Sequence, residues 1–387
     1  MPRILCFLHS FEPGGVERTA LHLCAAWREA GAEVAVLLGR DEGRMRCEGA
    51  GLDYLVPPRP GFSTAPIETL WMMFWLPWTI LRWQPDVLFC AGNSYTIVAV
   101  AMKLLLGRRC PPIVAKISND LVRIDLPGPI RRVYRLWCRL QGKWLDHLVA
   151  LSPAMRGEII NVMGVEPGRV AVVEDAVLEE SALPMLAQAS RRALATRGIG
   201  RRLVAAGRLA AQKDFGLMIS AFARAAKPAD RLVILGEGPE RPRLERLIDR
   251  LELGKRVRLV GHQDRIAPWL GCSDVLLLSS RYEGLPAIVI EALAAGLPVI
   301  ATDCCVSMAG LLDDGRLGIP VAPGDERAFG EAIATLRPEA YDSAAAIAFA
   351  ARFTVQAAAS SYLDLFARLA NEPLEHARGL VMAREPA

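Results

Sequence analysis

The sequence predicts an α/β protein of two domains, each a parallel sheet covered by helices. Three observations carry that prediction. The chain has 387 residues, more than twice the roughly 150 that one domain commonly holds. Short apolar runs alternate with stretches of helical periodicity along its whole length, as in βαβ units and unlike sandwiches or bundles. A polar, alanine-rich stretch without a strand pattern, residues 178–202, separates two such series.

In the first series, RILCFLH (3–9), EVAVLLG (33–39), DVLFCAG (86–92), PIVAKIS (112–118), HLVALS (147–152) and VAVVED (170–175) read as buried strands. The stretch from Gly15 to Ala30 reads as a helix because Val16, Ala20, Leu23 and Trp27 recur at helical spacing. The N-terminal stretch PRILCFLHSFEPGG reads as a strand and a glycine turn, and a secretory leader is not expected. The apolar, aromatic-rich run TLWMMFWLPWTIL at 69–81 falls short of the 18 or so apolar residues of a spanning helix and is broken by Pro77. The second series is RLVAAGR (202–208), RLVILGEG (231–238), RVRLVGH (256–262), VLLLSS (275–280) and LPVIATD (297–303). These runs give an N-terminal domain over 1–180, a junction at 181–202, a second domain over 203–352, a helix over 353–370 and a tail at 371–387.

Composition narrows the function classes. Hydrophobic residues are 52% and charged residues 23% of the chain, which excludes disorder and fibrous repeats as the main architecture. The 46 basic and 42 acidic residues leave a net charge of +4, too small an excess to imply a nucleic-acid partner. Nine cysteines occur without a C-x-x-C pair, which fits reduced thiols and a cytoplasmic location rather than a disulfide framework or a zinc site.

Four strand-to-helix segments carry chemistry. SSRYEGLPAIVIEALAAGLPVIAT (279–302) places Glu283 on the loop after a strand and Glu291 in a helix whose first residue is expected to be Pro286. Two carboxylates in this relation suit recognition of vicinal hydroxyls; an isolated pair is more often a solvated loop acid and a helix acid, but Gly284, Pro286 and the flanking strands favour the site here. VAAGRLAAQKDFGLMI (204–219) sets Arg208 and Lys213 across a glycine turn before a helix, a site for a diphosphate or two ordinary surface charges. GEGPERPRLE (236–245) has two glycines but Arg241 where a dinucleotide fingerprint needs a third. HSFEPGGVER (9–18) brings Gly14 and Gly15 into a turn where backbone can approach a phosphate closely.

In order and spacing, Gly14-Gly15, Arg208 with Lys213, GEGP at 236–239, and Glu283 with Glu291 resemble the family 4 glycosyltransferases, retaining enzymes of the GT-B fold. The resemblance implies two facing Rossmann-like domains with a cleft between them and a C-terminal helix returning to the first. It implies a UDP- or GDP-linked sugar as donor, an acceptor hydroxyl on a glycan, lipid or lipid-linked glycan, and no metal or other cofactor. Arg208 and Lys213 would hold the diphosphate, beside Gly207, Gly236 and Gly238. Glu283, with Gly284 and Leu285 after it, would bind the transferred sugar, Glu291 the ribose, and the Gly14-Gly15 loop would cover the diphosphate. Candidates for the acceptor side are His9, Asn93 and Asn119, the last standing near the place where many relatives carry a histidine. A lone histidine such as His9 or His262 is more often structural. The loop CCVSMAGLL after Asp303 also departs from the Gly-Pro-x-Glu pattern of many relatives.

Six of the eight tryptophans, Trp71, Trp75, Trp78, Trp83, Trp137 and Trp144, fall in one stretch of the first half, beside Arg131, Arg132, Arg135, Arg139 and Lys143. Basic and aromatic side chains in this mixture suit an anionic membrane surface, giving an expected peripheral attachment through residues 71–144. Buried connecting helices with a solvated basic face are the alternative. A sugar-nucleotide epimerase, a phosphorylase or a non-catalytic membrane-associated protein are the rival functions.

Overall fold

The computed structural model describes all residues except 13, 50, 59–60, 62, 124–125, 187–199 and 372–387. The chain forms two compact units, residues 1–176 with the helix that begins at Val355, and residues 177–354.

The first unit is a seven-stranded sheet in the order β3-β2-β1-β4-β5-β6-β7. Its strands are β1 Arg3–Leu8, β2 Glu33–Leu38, β3 Asp53–Leu55, β4 Val87–Cys90, β5 Ile113–Lys116, β6 His147–Ala150 and β7 Val170–Val172. All pairs are parallel, and β1 is shared between β2 and β4 through Ile4, which lies opposite both Val34 and Val87. Ile4 to Leu8 are fully buried because helices cover both faces, which is why the strands read as continuous apolar runs rather than alternating ones. On one face α1 (Gly15–Glu29) packs against the C-terminal helix Val355–Asn371. Trp27 meets Phe89, Tyr362 and Phe366 edge-on there, at centroid distances of 5.0, 5.6 and 5.1 Å. Right-handed crossovers place α2 (Glu68–Trp83), α3 (Thr96–Leu106), α4 (Gly128–Trp144) and α5 (Pro153–Met163) side by side on the other face.

The second unit is a six-stranded sheet in the order β10-β9-β8-β11-β12-β13. Its strands are β8 Arg202–Ala206, β9 Arg231–Leu235, β10 Val257–Gly261, β11 Val275–Leu278, β12 Val299–Thr302 and β13 Gly318–Val321. Helices α6 (Phe215–Ala225), α7 (Arg241–Arg250), α8 (Ala267–Gly271), α9 (Ala287–Ala294), α10 (Met308–Leu311), α11 (Glu326–Thr335) and α12 (Ser343–Ala350) complete it. Two apolar clusters sandwich the sheet, one centred on Phe215, Phe222 and Phe329, the other on α9 and Phe353. The final helix, Val355–Asn371, is α13.

Several boundaries differ from the sequence reading. The chain passes into the second unit at 176/177 rather than within 181–202, because Leu178 is buried in the second core and bridges to Thr354. Most of the expected junction and nearly all of the tail lie outside the described residues. Strands β3 and β13 were not foreseen; the first has three residues, and the second, GIPV, carries Pro320 on the edge of its sheet, where the missing N–H costs no ladder bond. Pro77 does not break the apolar run, since α2 continues through it. Pro286 stands one residue before α9, with φ −76° and ψ 94°, rather than inside it. Among the described residues no helix is long and apolar enough to cross a membrane.

Candidate functional site

In each unit the strand order reverses beside the first strand, and the crevice at that switch point is where open parallel sheets bind ligands. In the second unit the switch lies between β8 and β11. The loop after β8 carries Arg208 and Lys213; the loop after β11 carries Glu283. Lys213 Nζ donates to Glu283 Oε1, and Ser280 Oγ donates to the same oxygen at 2.6 Å. Three further ties fix the two loops: Arg281 N to Gln212 O at 2.8 Å, Gln212 Nε2 to Tyr282 O at 2.8 Å, and Ser279 Oγ to Lys213 O at 2.8 Å. Behind Glu283, its own N–H donates to Cys304 O at 3.0 Å, so the CC pair after β12 supports the loop through backbone. Arg208 is exposed.

Gly207 has φ 156°, and a Cβ there would lie 3.2 Å from Lys213 Cε; glycine leaves room for the lysine stem. Gly236 has φ 139°, and its Cβ would lie 1.9 Å from Gly207 O, while one at Gly238 would lie 2.3 Å from Leu209 O. The loops after β8 and β9 therefore pack backbone on backbone, joined by Leu209 N to Glu237 O and Glu240 N to Leu209 O, both 2.9 Å. Packing alone accounts for those two glycines. Arg241, which interrupts the fingerprint, bridges Glu237 and Glu245 at 2.6 and 2.9 Å. Glu291 sits half-buried in the middle of α9, and Gly284 and Leu285 are half-buried in the turn before it.

In the first unit the switch lies between β1 and β4. His9 follows β1 and stacks on Tyr95 at a centroid distance of 4.6 Å. Tyr95 donates to Glu17 Oε1 at 2.7 Å. Burial lowers the His9 pKa from its ordinary value, with Arg40 acting in the same sense and Glu68 and Glu17 opposing; its Nδ1 is buried without a partner. Asn93 Oδ1 accepts from Ser118 N at 2.7 Å and so ties the loop after β4 to the loop after β5. Asn119 is exposed on the bend beyond. Gly14 is extended, at φ −153° and ψ 151°, and caps α1. A Cβ at Gly15 would meet nothing within 4 Å, so the fold itself does not require glycine there. His262 lies in an exposed pair with Asp264 at 3.3 Å.

Sequence reasoning missed Ser280, Tyr95 and Lys116. Lys116 closes the buried run of β5, is 3% exposed, and meets Asp175 Oδ1 at 2.5 Å. A single charge inside VAK was the available signal, since buried lysines are nearly always paired. Of the six clustered tryptophans only Trp78 is exposed; the other five are half-buried.

Residues 13–177 match the family described as Glycosyltransferase Family 4, and residues 200–337 match the one described as Glycosyl transferases group 1. The lipopolysaccharide core biosynthesis glycosyltransferase LpsE of Rhizobium meliloti is 28% identical over 332 residues, 84% of this chain and 86% of LpsE. The amylovoran biosynthesis glycosyltransferase AmsD of Erwinia amylovora is 36% identical over 113 residues, 29% of this chain and 32% of AmsD. The crystal structure of Anabaena HepE in complex with UDP is similar in fold, with a TM-score of 0.72 at 20% identity, covering 95% of this chain and all of that one. The two family matches follow one another along the two sheets, and the chain is a glycosyltransferase of the family 4 and group 1 type, built on the GT-B fold.

Proposed function

We propose that the protein transfers a sugar from a UDP- or GDP-linked donor to a hydroxyl of a glycan, lipid or lipid-linked glycan, with retention of anomeric configuration and without a metal ion. The observation that carries this reading is the joining of Lys213, Glu283 and Ser280 at the switch point of the second sheet. Lys213 and the exposed Arg208 are the cations for a diphosphate, and their charge would stabilise it as it leaves. Both contacts to Glu283 fall on Oε1, so Oε2 is the oxygen offered to hydroxyls of the sugar.

In the proposed step the bond from the anomeric carbon to the phosphate oxygen breaks as the acceptor oxygen bonds to that carbon on the same face. The acceptor proton passes to the departing phosphate oxygen, which balances the transfer without a carboxylate nucleophile. The roles in the names of LpsE and AmsD, lipopolysaccharide core and amylovoran synthesis, support an acceptor of cell-envelope glycan type, and the UDP bound to HepE supports a nucleotide donor.

The test is a panel of UDP- and GDP-sugars assayed with and without EDTA, with nucleotide release, the product and its anomeric configuration followed by NMR. One donor should yield an acceptor-linked product of retained configuration whether or not EDTA is present. An isomerised nucleotide sugar, an inverted product or loss of turnover in EDTA would overturn the corresponding part of the reading.

A further inference from the structure

The helices α2, α3 and α4 lie side by side and leave apolar faces uncovered. On α2, Leu70, Phe74, Trp78 and Leu81 recur at helical spacing and are 65, 70, 55 and 44% exposed. On α4, Ile130, Val133, Leu136 and Leu140 are 54, 69, 69 and 43% exposed. Between them α3 exposes Leu104 and Leu105. Large apolar side chains scattered singly need no explanation, but rows of them on adjoining helices mark an interaction surface.

The chemistry of α4 identifies what covers it. Gly128–Trp144 contains Arg131, Arg132, Arg135, Arg139 and Lys143 and no acidic residue. Cys138, Gln141 and Gly142 form its buried side. At about 100° per residue, the outward side divides lengthwise into an apolar strip and, beside it, a strip of Arg132, Arg135, Arg139 and Lys143. A second copy of the chain meeting this face symmetrically would set basic strip against basic strip. An anionic bilayer complements both strips, with acyl chains for one and phosphates for the other.

We infer that the face formed by α2, α3 and α4 docks on an anionic lipid bilayer. Phe74, Trp78, Val133 and Leu136 enter the boundary between headgroups and acyl chains, and the basic strip of α4 lies along the phosphates. Five of the six tryptophans that suggested a membrane in the sequence are half-buried, and the aliphatic row of α4 takes their place. Docking needs neither donor nor turnover, so it stands or falls separately from glycosyl transfer.

Flotation of the full chain with vesicles of phosphatidylglycerol and phosphatidylcholine in equal parts, and with phosphatidylcholine alone, tests this. The protein should float with the anionic vesicles at low salt and stay behind with the neutral ones. Removing two charges by Arg135→Gln with Arg139→Gln should lower partitioning roughly 25-fold, at about fivefold per basic residue. Val133→Ser with Leu136→Ser should lower it with circular dichroism and melting unchanged, since both side chains are exposed. The inference is overturned if the wild type does not float with anionic vesicles at low salt, or if both double variants bind as it does. It is also overturned if sedimentation shows a dimer that Val133→Ser with Leu136→Ser dissolves while vesicle binding is absent.

Discussion

At the scale of single residues, the proposed chemistry rests on Lys213 and Glu283, which meet because Gly207 opens the space that Lys213 crosses to reach the loop after β11. Lys213→Ala and Glu283→Ala should each lower kcat by about a hundredfold or more, the scale of losing one preorganised electrostatic contact, with unchanged circular dichroism. Full activity in either would remove that residue from the site. Gly15 separates a structural glycine from a functional one. Gly15→Ala meets open space and should keep or slightly raise stability through a less flexible unfolded chain. If this turn approaches the donor phosphates, the same variant raises the donor KM severalfold; an unchanged KM would exclude the role. His9 adds a pH signature. Its pKa is lowered in the folded protein, chiefly by burial, so the unfolded chain binds the proton more readily. The stability contributed by neutral His9 is present above about pH 6.5 and lost as pH falls through the folded value. Wild type should therefore lose melting temperature relative to His9→Phe, which keeps a ring against Tyr95, as pH drops from 7 towards 5; parallel profiles would refute the shift.

At the scale of elements, the end of β5 and the segment after β7 are held by an ion pair between buried Lys116 and half-buried Asp175 rather than by apolar packing alone. Lys116→Met leaves Asp175 without its cation and should cost about 3 kcal/mol in urea unfolding, whereas Lys116→Met with Asp175→Leu should recover most of it. A single variant costing less than about 1 kcal/mol would show that water reaches the pair. Lys116 was missed in the sequence, although the strand that carries it was legible. Buried parallel strands announce themselves as apolar runs, so eleven of the thirteen were readable, and β3 and β13 escaped because DYL and GIPV are too short or too broken to form a run. The meeting of Lys213 and Glu283 was readable in part because both stand beside glycine turns after strands. Ser280 and Tyr95 were not, since their roles depend on which loops the strand order brings together. Gly236 and Gly238 looked like ligand glycines, yet the approach of two backbones explains them. Exposure on α4 was equally hidden, since the sequence alone does not show that its buried side is Cys138, Gln141 and Gly142.

At the scale of the whole molecule, the second unit is an insertion into the first. Its two ends are fastened to each other, with Val177 N and Leu178 N both donating to Phe353 O at 3.0 Å and Leu178 bridging to Thr354. Adjacent termini and a core of its own are the marks of a segment that folds alone, so residues 177–354 expressed separately should unfold in one cooperative transition. The first unit is discontinuous, and residues 1–176 lack α13. Without that helix Trp27, fully buried in the whole chain, loses Tyr362 and Phe366, and the apolar face of α1 meets water. Residues 1–176 alone should therefore aggregate or show red-shifted tryptophan fluorescence, and joining them to residues 355–371 through a short glycine-serine linker should restore a cooperative transition. Equal stability of 1–176 with and without α13 would show that the aromatic cluster is not what completes the first unit. The comparison is decisive because burial of four large rings, each of order 150 to 250 Å², outweighs the small entropic cost of closing the linker loop.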